Sequence, residues 1–352
     1  MPRIRVLVVD DSVVIRRVVT DVLSADPDVE VGSAATGCIA LAKLTQACYD
    51  LVVLDVEMPE MDGLETLAAI RKTHPRLPVV MFSALTEQGA TATLDALALG
   101  ATDYFAKPSG PGGLDESRRV LREELLPAIK QLCPQPVVKP SAALFAPVMS
   151  GAAATGGPVT AVVIASSTGG PNALRDVFQT LPADLPVPIL IVQHMPPMFT
   201  KMLAERLTAS SRVPVEEATH GAVVRRGRAV IAPGDFHMIV GRDLATVRVF
   251  LHQEAPENSC RPAADPLFRS AVKVYGGGTL AVVLTGMGSD GLRGCEAVRA
   301  AGGQVLAQDE ATSVVWGMPG AVARAGLANR LLPLSMVGPE IIRRVLGGAG
   351  PS

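Results

Sequence analysis

The feature that most constrains this chain is a regular alternation, from its first residues, of short β-branched runs with helical patterns. Ile4–Val9 precedes Val13–Leu23, Val29–Ser33 precedes Cys38–Leu44, and Leu51–Leu54 precedes Leu64–Ile70. Val79–Phe82 then leads into Thr91–Leu99, and Asp103–Phe105 into Glu116–Leu132. Parallel strands need crossover connections of about a dozen residues or more, and the helical stretches supply them. Five βα units therefore predict a parallel sheet covered on both faces.

A second series opens at Thr160–Ala165 and proceeds through Asn172–Thr180, Ile189–Gln193, Phe199–Thr208, Ala229–Ala232 and Leu280–Thr285 to Gln304–Ala307. It reads as a doubly wound, mostly parallel α/β sheet. Residues 235–252 alternate differently around Gly241–Asp243, which predicts a β-hairpin. Between the two series periodicity stops in PQPVVKPSAALFAPVMSGAAATGGP, a Pro-, Ala- and Gly-rich run that reads as a tether. The expected organisation is a first α/β domain over residues 1–132, a linker over 133–157 and a second α/β domain over 158–352. A length of 352 residues suits two cores better than one.

The balance of 32 Lys and Arg against 34 Asp and Glu leaves a net charge of -2, so no global field steers the chain to nucleic acid. Apolar runs such as Val187–Val192 fall far short of the roughly 18 residues of a spanning helix, which argues against membrane insertion. MPRIRVLVVDD has neither the length nor the cleavage site of a signal peptide, and a cytoplasmic location is expected. The five cysteines show no CxxC pair or metal-ligand spacing, so reduced, mostly packed thiols are expected.

Chemistry gathers at strand ends. Asp10 and Asp11 follow the first strand and Asp55 the third, so all three carboxylates emerge on the carboxyl edge of one sheet, where α/β proteins bind ligands. An open, oxygen-rich cluster of this kind suits Mg²⁺ that keeps waters and bridges to a phosphoryl group. Ser83 and Lys107 end the next two strands and add a hydroxyl and a cation. For Asp11 or Ser12 alone, a helix N-cap is the simpler role.

The full set, Asp10-Asp11, DVEMPEMDG from Asp55 to Gly63, Ser83 and Lys107-Pro108, resembles the response-regulator receiver family over about residues 3–132. The resemblance implies a flavodoxin-like (βα)5 fold in which Asp55 takes a phosphoryl group from a phosphohistidine of a partner kinase. It further implies metal ligation by Asp10, Asp11, Asp55 and the backbone of Glu57. Ser83, Tyr104 and Lys107 fall at the family's switch positions.

In the second domain, AVVIASSTGGPNALRDVF is a strand turning through Ser166–Gly170 into a helix near Pro171. A hydroxyl there lies near the positive end of a helix dipole, and nearby amides can hold an oxyanion. A plain N-cap is the competing reading. His194 follows the Ile189–Gln193 strand and Asp290 follows Leu280–Thr285, so three strands deliver Ser, His and Asp to one edge, in the logic of a catalytic triad. A rival is Gly286, Gly288 and Gly291 with Asp309, which spell a dinucleotide fingerprint; Asp290 inside that loop would repel a pyrophosphate.

SSTGG, QHMPP, IAPGDFHM, ADPLFRSA, LTGMGSDG and WGMPGAV together resemble the catalytic domain of the chemotaxis methylesterase family CheB, over about residues 158–346. The resemblance implies hydrolysis of glutamate methyl esters, with deamidation of glutamines, on chemoreceptor helices, without a hydrolytic cofactor. Ser167 would be the nucleophile, His194 the base and Asp290 the orienting acid, with Thr168 and Met287 lining the oxyanion region. Ser166, beside Ser167, is a competing hydroxyl. CRPAADPLF departs from the family's HRPSVDxLF, so Cys260 and Ala263 are expected to alter substrate contacts more than chemistry. A non-catalytic binding module remains the alternative, while a transcriptional regulator lacks support in any helix-turn-helix pattern.

Overall fold

A computed structural model describes residues 3–84, 86–107, 113–133 and 157–347. The chain divides into two compact units, residues 1–144 and 145–352. Most of the expected linker, and Pro108 of the Lys-Pro pair, lie outside the described residues.

The first unit is a five-stranded parallel sheet of β1 (Ile4–Val9), β2 (Val29–Ala34), β3 (Leu51–Asp55), β4 (Val79–Ser83) and β5 (Asp103–Ala106), in the order β2-β1-β3-β4-β5. β1 and β3 are neighbours, with Val9 opposite Leu54, so the acids after them share one edge. Local chemistry fixes the helix starts. Ser12 caps Val13–Ser24 by accepting from Ile15 N, and Asp62 with Glu65 forms a capping box on Gly63–Thr73. The expected last helix is three segments: α-helix Gly113–Val120, a π-helical stretch Leu121–Leu125, and α-helix Leu126–Leu132.

The second unit carries β6 (Ala161–Ser166), β7 (Ile189–Gln193), β8 (Val215–Glu217), β9 (Ala229–Ile231), β10 (His237–Asp243), β11 (Thr246–His252), β12 (Thr279–Val283), β13 (Gln304–Gln308) and β14 (Arg330–Leu332). Seven strands form one sheet in the order β14-β13-β12-β6-β7-β9-β8, with every pair parallel. β10 and β11 form the expected hairpin, His237 opposite His252. The strand order turns at β6, whose neighbours are β12 and β7. That switch point is where an open α/β sheet leaves a crevice.

Elements that periodicity missed are short or late in the chain. β8 and β14 have three residues each, too few to show alternation. Helix Ala264–Tyr275 begins at a Pro-containing stretch, ADPLF, and follows a cis Arg261-Pro262 bond. Helix Leu334–Gly347 buries Glu340 against Arg330 (2.9 Å), Arg343 (2.7 Å) and Arg344 (2.8 Å), while Arg344 also reaches Gln304.

Candidate active site

In the first unit the oxygens of Asp10, Asp11 and Asp55 lie within 4.8 Å of one another. Asp10 and Asp55 are buried and Asp11 is exposed. Lys107 Nζ stands 3.0 Å from Asp10 Oδ2 and 2.7 Å from Asp55 Oδ2. Among the described residues no other group satisfies these two buried oxygens. Burial raises the Asp55 carboxyl to about 6, against the pull of Lys107. Hard, close-set, under-satisfied carboxylates of this kind fit a divalent cation.

Around them, Glu57 N donates to Asp55 Oδ1 at 3.3 Å. Ser83 is buried at the end of β4, with its hydroxyl donating to Gly89 O at 3.1 Å. Tyr104 sits on β5 opposite Met81.

In the second unit the edge of β12, β6 and β7 carries the other site. Ser166 pairs in register with Gln193, and His194 N donates to Ser166 O at 3.1 Å, so the residues after β6 and β7 are locked side by side. The chain then turns through Gly169, whose φ of 73° and the close approach of Val314 both favour a residue without Cβ. Ser166 is fully buried and donates to Gln193 Oε1 at 2.7 Å. Ser167 is half-buried, and among the described residues its hydroxyl has no hydrogen bond. The two adjacent serines are thereby distinguished: one is a structural donor, the other is accessible.

His194 Nε2 lies 2.8 Å from Asp290 Oδ2. Asp290 is almost wholly buried, yet it also accepts from Ala264 N (2.6 Å), Asp265 N (3.2 Å), Gly291 N (2.9 Å) and Asn258 Nδ2 (2.9 Å). Burial alone would raise its pKa, but His194 and the amides of the Ala264–Tyr275 helix start reverse the sign and hold it below the usual range. Asp265 is fixed in turn by Gly294 N at 2.6 Å and by Asn258. ADPLF therefore cradles the buried Asp290 carboxylate, a role that required knowing a helix begins at Ala264.

The loops that carry Thr168 and Met287 are tied into a definite shape. Thr285 Oγ1 donates to Thr168 O at 2.9 Å and accepts from Val315 N at 3.0 Å, stitching three loops together. Among the described residues neither the Thr168 nor the Met287 amide has an acceptor. Gly286 packs against Ser167 so closely that an added Cβ would lie 2.8 Å from Ser167 Cβ.

Two expectations change, and a rival pattern finds other roles for its acids. Cys260 does more than line the approach of a substrate: its Sγ lies 3.5 Å from His194 Nδ1. Of the five cysteines only Cys295 is buried, while Cys38 and Cys48 are exposed, because the helical and loop positions they occupy face away from the sheet. Asp309 of the dinucleotide-like pattern accepts from Thr312 N (3.0 Å) and Thr312 Oγ1 (2.6 Å) in a local turn, and Asp290 turns to His194 instead of leaving a phosphate cradle.

Comparison with known proteins assigns a family to each unit. The family described as CheB methylesterase matches residues 162–341, and the response regulator receiver domain matches residues 6–118. A protein-glutamate methylesterase/protein-glutamine glutaminase of Trichodesmium erythraeum is 51% identical over 352 residues, covering 98% of this chain and 100% of its own. One of the same name from Nocardioides sp. is 54% identical over 353 residues, covering 98% and 96%. The crystal structure of the Thermotoga maritima CheB methylesterase catalytic domain shares 44% identity at a TM-score of 0.52, covering 53% of this chain and 98% of its own. Among the described residues no helix is long and apolar enough to cross a membrane. The chain belongs to the CheB methylesterase family, with a response-regulator receiver preceding the catalytic unit.

Proposed function

We propose that this protein is a phosphorylation-regulated protein-glutamate methylesterase and protein-glutamine glutaminase, with Ser167, His194 and Asp290 as its catalytic set. The observation that carries the reading is the His194–Asp290 pair at 2.8 Å, set at the sheet's switch point beside the accessible Ser167. Ionised Asp290 fixes the hydrogen on Nε2, so Nδ1 presents the lone pair that takes the Ser167 proton. Ser167 Oγ attacks the ester carbonyl, and the Thr168 and Met287 amides meet the negative oxygen. His194 returns the proton to the leaving methoxide, which departs as methanol. Water then attacks the acyl-enzyme by the same route and frees the glutamate; with a glutamine substrate the first leaving group is ammonia. The hydrogen bond between Ser167 and His194 forms as substrate closes the site, as is common for nucleophile–base pairs.

The receiver supplies control. Asp55 attacks the phosphorus of a phosphohistidine on a chemotaxis-type kinase, with Lys107 and Ser83 gripping phosphoryl oxygens. Asp10, Asp11, Asp55 and the Glu57 carbonyl would hold Mg²⁺, which when bound screens the charge of the transferring group. The substrate partners are the cytoplasmic helices of methyl-accepting chemoreceptors, and the domain organisation that goes with this reading is a receiver over 1–132, a linker over 133–157 and a catalytic domain over 158–352.

The test is methanol release from methylated receptor membranes, with and without a phosphodonor. Wild type releases methanol and the phosphodonor increases it, whereas Ser167→Ala and His194→Ala do not release it. Equal release by all three would defeat the catalytic assignment.

A further inference from the structure

The motif IAPGDFHM puts His237 at the first position of β10, opposite His252 on β11. The side chain is 1% exposed, and both ring nitrogens meet backbone. Ala263 N lies 3.2 Å from Nδ1, and Ala255 O lies 3.2 Å from Nε2. A peptide N–H only donates and a peptide carbonyl only accepts, so the hydrogen sits on Nε2 and the Nδ1 lone pair is taken. Burial lowers the pKa of the ring, which keeps it in this neutral form. His252 packs beside it, with ring centroids 5.3 Å apart. A histidine held in this way has no nitrogen left to serve as a base.

The amide on Nδ1 belongs to the residue that starts helix Ala264–Tyr275. Ala263 has extended backbone (φ -121°, ψ 150°), and its methyl side chain supplies no cap. The next two amides, Ala264 N and Asp265 N, donate to Asp290 Oδ2 at 2.6 Å and Oδ1 at 3.2 Å. Of three successive N–H groups, the first is therefore held by His237 and the other two hold Asp290. Ala263 and Ala264 are both wholly buried, so an orphaned Ala263 amide regains a partner only by moving the helix start. Asp290 in turn faces His194 Nε2 at 2.8 Å. A continuous line of polar contacts and backbone thus runs from His237 through the helix start to Asp290 and His194.

We propose that His237 is a positioning residue of the hydrolase centre: its Nδ1 lone pair sets the direction of the Ala263 amide, and so aims the two amides that hold Asp290 against His194. The inference deepens the function proposed above and rests on it, since it takes Asp290 as the group that orients the base. Among the described residues His237 makes no hydrogen bond to Ser167, His194 or Asp290, so its effect passes through the helix start. What the site then needs is an acceptor at one point of the ring. Two amide side chains separate that need from simple filling of space. Asparagine brings its carbonyl oxygen near the position of Nδ1 and accepts from Ala263 N, whereas glutamine reaches the position of Nε2 and donates to Ala255 O. A ring that only packed the hairpin on the helix would be replaced better by the larger glutamine.

The experiment compares His237→Asn, His237→Gln and His237→Ala in the full-length protein with phosphodonor present, reading kcat and KM for methanol release beside the melting temperature. His237→Gln and His237→Ala are expected to lose about 10–100-fold in kcat with KM within about twofold, whereas His237→Asn stays within about threefold of wild type. Equal kcat in the Asn and Gln variants, or a loss confined to KM, would overturn the proposal. On an Asp290→Asn background His237→Gln should cost less than about twofold more, and a fully additive loss would show that the path bypasses Asp290. Should the Gln and Ala variants not fold, His237→Asn decides alone, and a loss of about tenfold or more there sinks the idea. A further readout needs no activity. In histidine-labelled protein, at a pH where the ring is neutral, proton–nitrogen NMR should show His194 with its hydrogen on Nε2 in wild type and His237→Asn, and a mixture of tautomers in His237→Gln. An identical His194 spectrum in all three refutes the positioning. If wild type released no methanol, the esterase reading would fall, and the tautomer comparison would still decide whether His237 aims Asp290.

Discussion

Ser166 Oγ donates to Gln193 Oε1 at 2.7 Å in a fully buried pair that bridges the ends of two neighbouring strands. Gln193 Nε2 in turn donates to Ser167 O at 3.0 Å, so Ser166 supports the backbone from which Ser167 projects. Substituting the two serines should therefore give opposite results. Ser166→Ala is expected to cost about 1–3 kcal/mol of stability by orphaning a buried acceptor, with methanol release reduced but present. Ser167→Ala should keep the melting temperature and lose the activity. Thermal denaturation beside the methanol assay separates them, and the reverse pattern would exchange the two roles.

Asp290 receives four donors besides His194, two of them backbone amides at a helix start. Asp290→Asn keeps the shape but cannot hold the imidazole hydrogen on Nε2 while also accepting from those amides. The expected loss is about 10²–10⁴ in kcat with little change in KM. A loss confined to KM would place Asp290 in substrate binding.

At Gly286 an added Cβ would meet Met318 Sδ at 2.4 Å and Ser167 Cβ at 2.8 Å. Gly286→Ala should displace Ser167 by a fraction of an ångström and lower kcat about 10–100-fold, with circular dichroism unchanged. Wild-type turnover in this variant would show that Ser167 tolerates movement.

Labelling of the receiver by a small phosphodonor should require Mg²⁺ and Asp55. Chelation or Asp55→Asn is expected to abolish incorporation, since Asp55 with Asp10 and Asp11 forms the one close group of possible metal ligands among the described residues. Undiminished labelling of Asp55→Asn would move the acceptor elsewhere.

Glu340 gives the catalytic unit a stability term in acid. Burial would raise its pKa, but Arg343, Arg344 and Arg330 lower it from 4.5 to about 2. A depressed carboxylate stabilises the fold above its unfolded pKa, and that stabilisation is lost as pH falls through the folded value. Between about pH 4.5 and pH 2 the loss should be about 1–2 kcal/mol, allowing for solvent around Arg343 and Arg330. Urea midpoints measured against pH should fall over that range in wild type and stay flatter in Glu340→Gln.

Hydrophobic periodicity was enough to read the strand–helix alternation, and with it which residues stand at carboxyl strand ends. Asp10, Asp55, Ser83 and Lys107 were legible because each directly follows or ends a hydrophobic run, and parallel pairing then forces such residues onto one edge. Ser167 and His194 were legible for the same reason. Asp290 was harder, as it lies several residues beyond β12 in a loop that also spells a nucleotide motif. Which polar atoms meet depended on the packing of distant elements. The order β12-β6-β7 brings three distant segments together, a helix start at Ala264 stabilises the buried Asp290 charge, and register couples Ser166 to Gln193. The contact of Cys260 with His194 joins positions 66 residues apart through a strained turn. Periodicity reports burial along one element at a time, whereas hydrogen-bond partnership depends on distances between elements, and those are set by packing.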